Sequence, residues 1–359
     1  MQNQIKQFLA RFILLFSIVS LLISCQLIPV TEELTVESTP STQYELPETF
    51  QTSLLNPLDI PRTYIDETCR YLRNKWNPLN ATPGTVVMAI RFQNINRGTA
   101  EIPNSIPLIE FRDLMDQLKS QGFEAVNTEE LQGFVERNEK IPERSVYLIQ
   151  DGNQSTEYFY VIFGDYWENW GWTVINGWVS DPESSAELIQ ENIELEYEGF
   201  VDHQAQGVFA DTKLSDESAK NVIARELQGS WVGFANIYGK NPIAMIWPNG
   251  GFGFRPIEAA RQLRFKIGFT LNARGPIMYN WVPLADEVDL ERPDFIPEGL
   301  IDEALMTLPT YSPQEAFAAI DAVRIIGKDA ATYAQTNKDA EYKYYEMVCE
   351  PEYSPIPSP

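Results

Sequence analysis

The sequence is poor in histidine and in basic residues, and both shortages narrow the functions it can support. Among 359 residues there is one histidine, His203, so no site that needs several imidazoles can be assembled. The 27 lysines and arginines are outnumbered by 51 acidic residues, which gives a net charge of −24. Such a chain repels nucleic acids and anionic lipid surfaces, and neither is a predicted partner. Neutral and cationic ligands remain allowed.

Long apolar runs are also scarce, and the one at the N-terminus is too short for a comfortable membrane span. Lys6 and Arg11 precede the run FILLFSIVSLLI, a pattern typical of a signal peptide. The run ends in LISC (22–25), which resembles a bacterial lipobox and implies lipidation of Cys25. A plain signal peptide or a signal anchor is the alternative. Without the signal, which has two basic residues and no acids, the charge is 25 − 51 = −26.

Cysteine is rare, and a lipid on Cys25 leaves Cys69 and Cys349 near opposite ends of the predicted domain. A lipoprotein resides outside the cytoplasm, where disulfides persist. We therefore expect these two cysteines to form a disulfide, with two buried thiols as the alternative.

Composition divides the chain into four parts. Residues 1–25 are the signal with its lipobox, 26–63 a disordered tether rich in Pro, Thr, Ser and Glu, 64–350 a folded domain, and 351–359 a proline-rich tail. The hydrophobic fraction of 44%, with 12% aromatic residues, is ample for a core.

Within the folded domain, strand and helix patterns alternate. GTVVMAIRF and SVYLIQ are typical of strands, and SPQEAFAAIDAVRIIG begins a helix with Ser312 as N-cap and Pro313 at the first helical position. This alternation favours a parallel sheet covered by helices. If the sheet closes into a barrel, the chemistry belongs at the carboxyl ends of the strands. Three strands end in polar or glycine-rich segments, at QDG (150–152), DHQ (202–204) and WPNG (247–250).

These three segments, in this order, resemble those of the polysaccharide deacetylases, the NodB-homology group of carbohydrate esterases. SVYLIQDG stands where the family has LTFDDG, EGFVDHQAQG where it has HTxxH, and MIWPNGGFG where it has YPYG. WGWTVINGWV is similar to the lipoprotein deacetylases that act on exported poly-N-acetylglucosamine. The resemblance covers Thr85 to Asp294 and implies a distorted (β/α)7 barrel of parallel strands covered by helices, with a divalent metal site.

The resemblance assigns a role to several positions. Asp151 matches a metal-binding aspartate and His203 the first histidine ligand, whereas Gln150 stands at the general base and Gly207 at the second histidine. An amide cannot accept a proton near neutral pH. The family mechanism uses three histidines and this chain has one. We therefore expect impaired catalysis and a zinc-like metal that is weakly bound or absent, because two ligands fall short of the usual three. The alternative oxygen ligands are Asp202 and Asp211.

Other residues near these strand ends are predicted to contact substrate. The backbone of Asn249 matches the family's oxyanion position, and Trp178, Trp247 and Pro248 are predicted to contact the sugar, the tryptophans by stacking on a pyranose face. Simpler readings stay open. Asp151–Gly152 can be a turn, His203 a structural residue, and the tryptophans ordinary packing.

The predicted function is that of a lipid-anchored, extracytoplasmic protein that binds or helps process an envelope or exported N-acetylated glycan. Its predicted partners are that polysaccharide and, through the lipid anchor, the membrane. One alternative is an active metal-dependent deacetylase with a non-standard metal site. Another is a structural or assembly lipoprotein that uses the barrel as a scaffold, because a fold does not determine function.

Overall fold

The computed structural model describes residues 45–98 and 105–358. The predicted signal peptide, the lipidation site Cys25 and residues 26–44 of the predicted tether lie outside the described residues. No helix in the described part of the chain is long and apolar enough to cross a membrane.

The described residues form eleven strands and ten α-helices. The strands are β1 (Asp59–Arg62), β2 (Val86–Phe92), β3 (Asn94–Asn96), β4 (Ser105–Pro107), β5 (Glu124–Ala125), β6 (Arg144–Asp151), β7 (Val174–Trp178), β8 (Val201–Ala205), β9 (Ala244–Ile246), β10 (Ile267–Phe269) and β11 (Val282–Ala285). The helices are α1 (Thr68–Trp76), α2 (Leu108–Ser120), α3 (Thr128–Arg137), α4 (Thr156–Trp170), α5 (Ala186–Glu198), α6 (Lys220–Ala224), α7 (Ser230–Tyr238), α8 (Phe254–Gln262), α9 (Pro313–Tyr344) and α10 (Glu350–Tyr353). Two π-helical turns, Arg225–Gly229 and Tyr345–Cys349, and two 3-10 turns, Pro248–Gly250 and Ala304–Met306, complete the set.

The main sheet is parallel throughout and follows the order β10-β9-β8-β7-β6-β2, with β5 paired to the start of β6. Its strands are buried on both faces, as the apolar run VVMAIRF of β2 requires. Residues 308–311 then join the two edges of the sheet. Leu308 N–H donates to Gly268 O at 2.8 Å, and Tyr311 N–H donates to Ala89 O at 2.9 Å. The sheet therefore curls into the distorted, helix-covered barrel that the resemblance implies.

Side chains of the strands alternate between two apolar layers. Tyr147 and Ile149 of β6 belong to the layer inside the barrel, whereas Val146 and Leu148 pack under the helices. The same alternation places Asp151 inside and Gln150 outside.

Both ends of the folded unit are longer than the composition predicts. Residues 45–63, assigned to the tether, pack on the barrel, because Trp281 Nε1 donates to Phe50 O at 2.9 Å and β1 pairs with β11. The predicted tail also packs, since Tyr345 Oη donates to Ser354 O at 2.7 Å. Apolar contacts and backbone pairing, which composition does not reveal, hold both segments.

A disulfide joins Cys69 of α1 to Cys349, 280 residues later in the chain, which is the pairing expected from the sequence. The bond lies in a small apolar cluster with Leu72 and Tyr345. It ties the C-terminal end of the chain to the beginning of the folded unit.

Candidate functional site

Asp151, at the carboxyl end of β6, forms an ion pair with Arg91 of β2 inside the barrel. Arg91 Nε donates to Asp151 Oδ1 at 2.6 Å. The arginine side chain is fully buried, whereas 14% of the aspartate side chain is exposed. Burial raises the pKa of Asp151 above its usual value, although the charge and hydrogen bond of Arg91 pull it down.

The guanidinium of Arg91 also reaches two residues that follow strands at the other edge of the sheet. Its terminal nitrogens donate to Trp247 O at 3.0 Å and to Thr270 O at 3.5 Å, just past the ends of β9 and β10. A planar cation with several donors can satisfy such a set of acceptors at once. The guanidinium therefore lies across the mouth of the barrel and is hydrogen-bonded to the carboxylate of Asp151.

Gln206, just after β8, is the other polar side chain beside Asp151. Its Oε1 accepts a hydrogen bond from Gly152 N–H at 2.9 Å, and its amide also hydrogen-bonds Asp151. A Cβ on Gly177 would lie 2.2 Å from this oxygen, so only glycine at position 177 lets Gln206 reach across the strand ends. The mouth is therefore occupied by a connected set of side chains.

Gln150, at the position of the general base, faces away from this set. It is buried under α4, where its Oε1 accepts a hydrogen bond from Tyr158 Oη at 2.8 Å. Its Nε2 donates to Asp151 O at 3.0 Å. The amide thus fills a structural place on the outer face of β6.

His203 also lies on the outer face, in the row that pairs Gln150 with Asn176 and Asn176 with His203. Its Nδ1 is 2.9 Å from Glu196 Oε2 and its Nε2 is 2.9 Å from Asn192 Oδ1, both on α5. Burial lowers the pKa of His203, and Glu196 opposes this effect. Both ring nitrogens are engaged away from Asp151, so the structure does not bring the two predicted ligands together.

The position of the second histidine, Gly207, has no room for a side chain. Its φ is +91°, and a Cβ there would lie 2.9 Å from Pro248 Cγ and 3.2 Å from Glu226 Oε2. Glu226 is fully buried in the π-helical turn before α7, and its Oε2 accepts N–H bonds from Val208 at 2.9 Å and Phe209 at 3.0 Å. This carboxylate fixes the loop that would have to carry a histidine.

Neither alternative oxygen ligand belongs to a group of three or more potential metal ligands among the described residues. Asp202 is the second residue of β8, where it accepts a hydrogen bond from Thr128 N–H at 2.9 Å and pairs with Lys240 at 3.1 Å. This is the amino end of the barrel, opposite Asp151. Asp211 is exposed in the loop after β8.

The predicted sugar contacts are mostly covered. Trp178 and Trp247 have no exposed area, and Trp247 Nε1 donates to Met306 O at 2.8 Å, so neither ring offers a free face for stacking. Pro248 is buried as well. Asn249 is exposed in a left-handed turn with φ +48°, and its Nδ2 donates to Ala210 O at 3.2 Å. An oxyanion role for its backbone stays a prediction.

The residues at the mouth do not fit a divalent metal. No group of three or more His, Cys, Asp or Glu side chains suited to a metal occurs in residues 45–98 and 105–358. The carboxylate that would bind the ion is held by a guanidinium that brings its own positive charge. Sequence reasoning missed Arg91, although a lone arginine inside the apolar run VVMAIRF was a signal for an internal ion pair.

The curled, helix-covered parallel sheet of this protein also occurs in solved polysaccharide deacetylases. The chain is similar to the Streptococcus pyogenes deacetylase PplD, solved in complex with acetate, at 15% identity and a TM-score of 0.50 over 66% of this chain and 98% of that one. It is similar to a polysaccharide deacetylase from Bacillus cereus at 14% identity and a TM-score of 0.50, covering 66% and 69% of the two chains.

A de-N-acetylase from Aggregatibacter actinomycetemcomitans is similar to the same degree, at 13% identity and a TM-score of 0.50 over 66% of this chain and 99% of that one. No protein-family model and no curated protein sequence matches the chain. The structural likeness establishes that this protein has the polysaccharide deacetylase fold.

Proposed function

We propose that this protein is an extracytoplasmic lipoprotein whose deacetylase-type barrel has lost metal-dependent catalysis and binds an envelope or exported N-acetylated glycan. The observation that carries the proposal is the ion pair between Arg91 and Asp151. Arg91 donates to Oδ1 of this carboxylate and places a positive charge beside it, which opposes the binding of a divalent cation there.

The remaining catalytic positions support the same proposal. General base catalysis needs a group that accepts a proton, and Gln150 is an amide that points under α4. His203 is bound on both nitrogens by α5. Gly207 has no space for a ligand. A single substitution therefore cannot restore the metal site.

Localisation outside the cytoplasm is supported by the signal pattern and the lipobox-like segment that ends at Cys25. The disulfide between Cys69 and Cys349 is in keeping with an oxidising compartment. Mass spectrometry of the protein purified from membranes tests the anchor, because a diacylglycerol on Cys25 shifts the mass of the N-terminal peptide. An unmodified or retained signal peptide would contradict it.

Loss of catalysis is tested by loading the mature protein with zinc or cobalt and measuring metal content and acetate release from chitooligosaccharides. We expect no stoichiometric metal and no turnover. Stoichiometric metal together with turnover that disappears in Asp151→Asn would instead establish an active deacetylase with a non-standard site.

Glycan binding is tested separately, by calorimetry with N-acetylated oligosaccharides. Saturable binding without turnover is the expected result. If no N-acetylated oligosaccharide binds, the barrel serves as the scaffold of a structural or assembly lipoprotein.

A further inference from the structure

A groove at the amino end of the barrel, opposite the pair of Arg91 and Asp151, has the chemistry of a saccharide site. It is an open depression of about 500 Å³, bounded by α3, α7, the end of α8, the segment before β9 and the turn before β10. We call it the basal groove. The lining residues used below are Gln132, Trp231, Asn241, Gln262, Arg264 and Lys266.

The basal groove is a cationic place on an acidic protein. Arg264 and Lys266 are exposed, and neither side chain has an ion-pair partner among the described residues. Their neighbour Arg261, in contrast, is paired with Glu303 at 2.9 Å. No acidic residue lines the groove. In a chain of net charge −24, two unpaired cations on one concave surface form a local site for anions.

One carboxylate that contacts the lining, that of Glu136, is already engaged. Glu136 accepts a hydrogen bond from Gln132 Nε2 at 2.9 Å and pairs with Arg137 at 3.1 Å. Lys240, at the end of α7, is likewise held by Glu196 and Asp202. The positive charge of the groove therefore comes from Arg264 and Lys266 alone.

The turn that carries both cations is held rigidly. Arg261 donates to Phe265 O at 3.3 Å and to Lys266 O at 2.8 Å, and Lys266 N–H donates to Ile243 O at 2.8 Å. Arg264 adopts φ +71°, a left-handed conformation that costs a non-glycine residue energy. The backbone of the turn therefore needs no reordering when a ligand binds.

The other side of the basal groove carries an aromatic ring and amide side chains, which are the groups that bind sugars. Trp231 is half-buried, packed on one side against the apolar cluster beneath α8, so part of its ring stays accessible. Aromatic rings bind the apolar C–H faces of pyranoses, and amide side chains bind hydroxyl and acetamido groups. Gln132, Asn241 and Gln262 bring three amides to the same groove.

We infer that the basal groove binds an acidic, N-acetylated oligosaccharide, with a pyranose against Trp231 and carboxylates at Arg264 and Lys266. This inference rests on the proposed glycan-binding function and names the surface and the charge of the ligand. It moves binding from the occupied mouth of the barrel to the opposite end.

The test compares two N-acetylated tetrasaccharides of equal length by calorimetry with the mature protein. Hyaluronan tetrasaccharide carries carboxylates, and chitotetraose does not. We expect the acidic ligand to bind at least about tenfold more tightly at low salt, and the preference to shrink as salt rises. Trp231→Ala should weaken binding about tenfold or more. The double variant Arg264→Gln/Lys266→Gln should abolish the preference for the acidic ligand.

Matched controls use an exposed aromatic and an exposed cation elsewhere. Tyr197, 93% exposed on α5, is replaced in Tyr197→Ala, and Lys328, exposed on α9, in Lys328→Gln. Neither should change binding. Because Trp231 also packs on the core, the charge variant, confined to exposed side chains, decides the question if Trp231→Ala is unstable.

The outcomes separate this inference from the proposed function. Chitotetraose that binds as tightly as the acidic ligand, with no effect of the groove variants, would overturn the basal groove and leave glycan binding intact. Failure of both ligands to bind would overturn both. Complete competition by inorganic phosphate at constant ionic strength would reduce the groove to a simple anion site and also refute the inference.

Discussion

Replacing Asp151 by alanine removes the carboxylate that neutralises the buried guanidinium of Arg91. Among the described residues, the carbonyl oxygens of Trp247 and Thr270, at 3.0 and 3.5 Å, would remain as hydrogen-bond partners of a charge that cannot be lost. Breaking a buried pair in this way costs about 3–5 kcal/mol. That is a large share of the ~5–15 kcal/mol by which domains are stable. Urea unfolding followed by circular dichroism measures the loss.

The control is an exposed ion pair. Asp321 pairs with Arg324 on α9 with side-chain exposures of 73% and 36%, so Asp321→Ala should cost less than about 1 kcal/mol. Replacing both partners of the buried pair, in Arg91→Met/Asp151→Leu, should recover much of the stability lost in Asp151→Ala. If Asp151→Ala lowers the free energy of unfolding as little as the surface control does, Asp151 does not stabilise the fold through an internal ion pair, and the reasoning is refuted.

Three further predictions concern the fold around the site. Gly207→Ala should lower the free energy of unfolding in urea by about 2 kcal/mol or more, because it adds a clash with Pro248 to the strain of positive φ. The control Gly199→Ala, at φ +75° with open space around it, should lower it by about 1 kcal/mol. Equal losses in the two variants would contradict the crowding at Gly207. Burial lowers the pKa of His203, so below about pH 6.5 the unfolded chain binds a proton at this residue more readily than the folded chain does. The free energy of unfolding should therefore fall by up to about 1.4 kcal/mol as the pH is lowered from 7.5 to 5.5. A rise in stability over this range would show that the folded state holds His203 protonated; His203→Gln should flatten the dependence. Reducing the Cys69–Cys349 disulfide, which closes a loop of 280 residues, should cost about 2–5 kcal/mol, and an unchanged urea midpoint would contradict its role.

Much of the fold could be predicted from local pattern. The strand patterns that carry QDG, DHQ and WPNG form β6, β8 and β9 of one parallel sheet, with β7 between β6 and β8. Ser312 with Glu315 makes the predicted start of the long helix α9. Periodicity and capping act within a few residues, so the sequence displays them directly. Small errors occur at boundaries. Strand β6, for example, continues to Asp151, one residue beyond the predicted segment SVYLIQ.

The site was harder to predict because motif spacing does not reveal which way a side chain points. Asp151 faces the interior, while Gln150 and His203 face the helices, and one residue of register separates the two outcomes. The contact between Arg91 and Asp151 joins residues 60 positions apart. Only the closed sheet brings them together.

The sequence by itself determined that this protein has alternating strands and helices and a single histidine. The tertiary structure alone decided that the one histidine is turned to the outside of the barrel and that Arg91 holds Asp151 at its mouth. Composition limits which groups exist, whereas strand register and barrel closure decide which of them meet. A buried charge also needs a partner across the fold, and no local pattern specifies that partner.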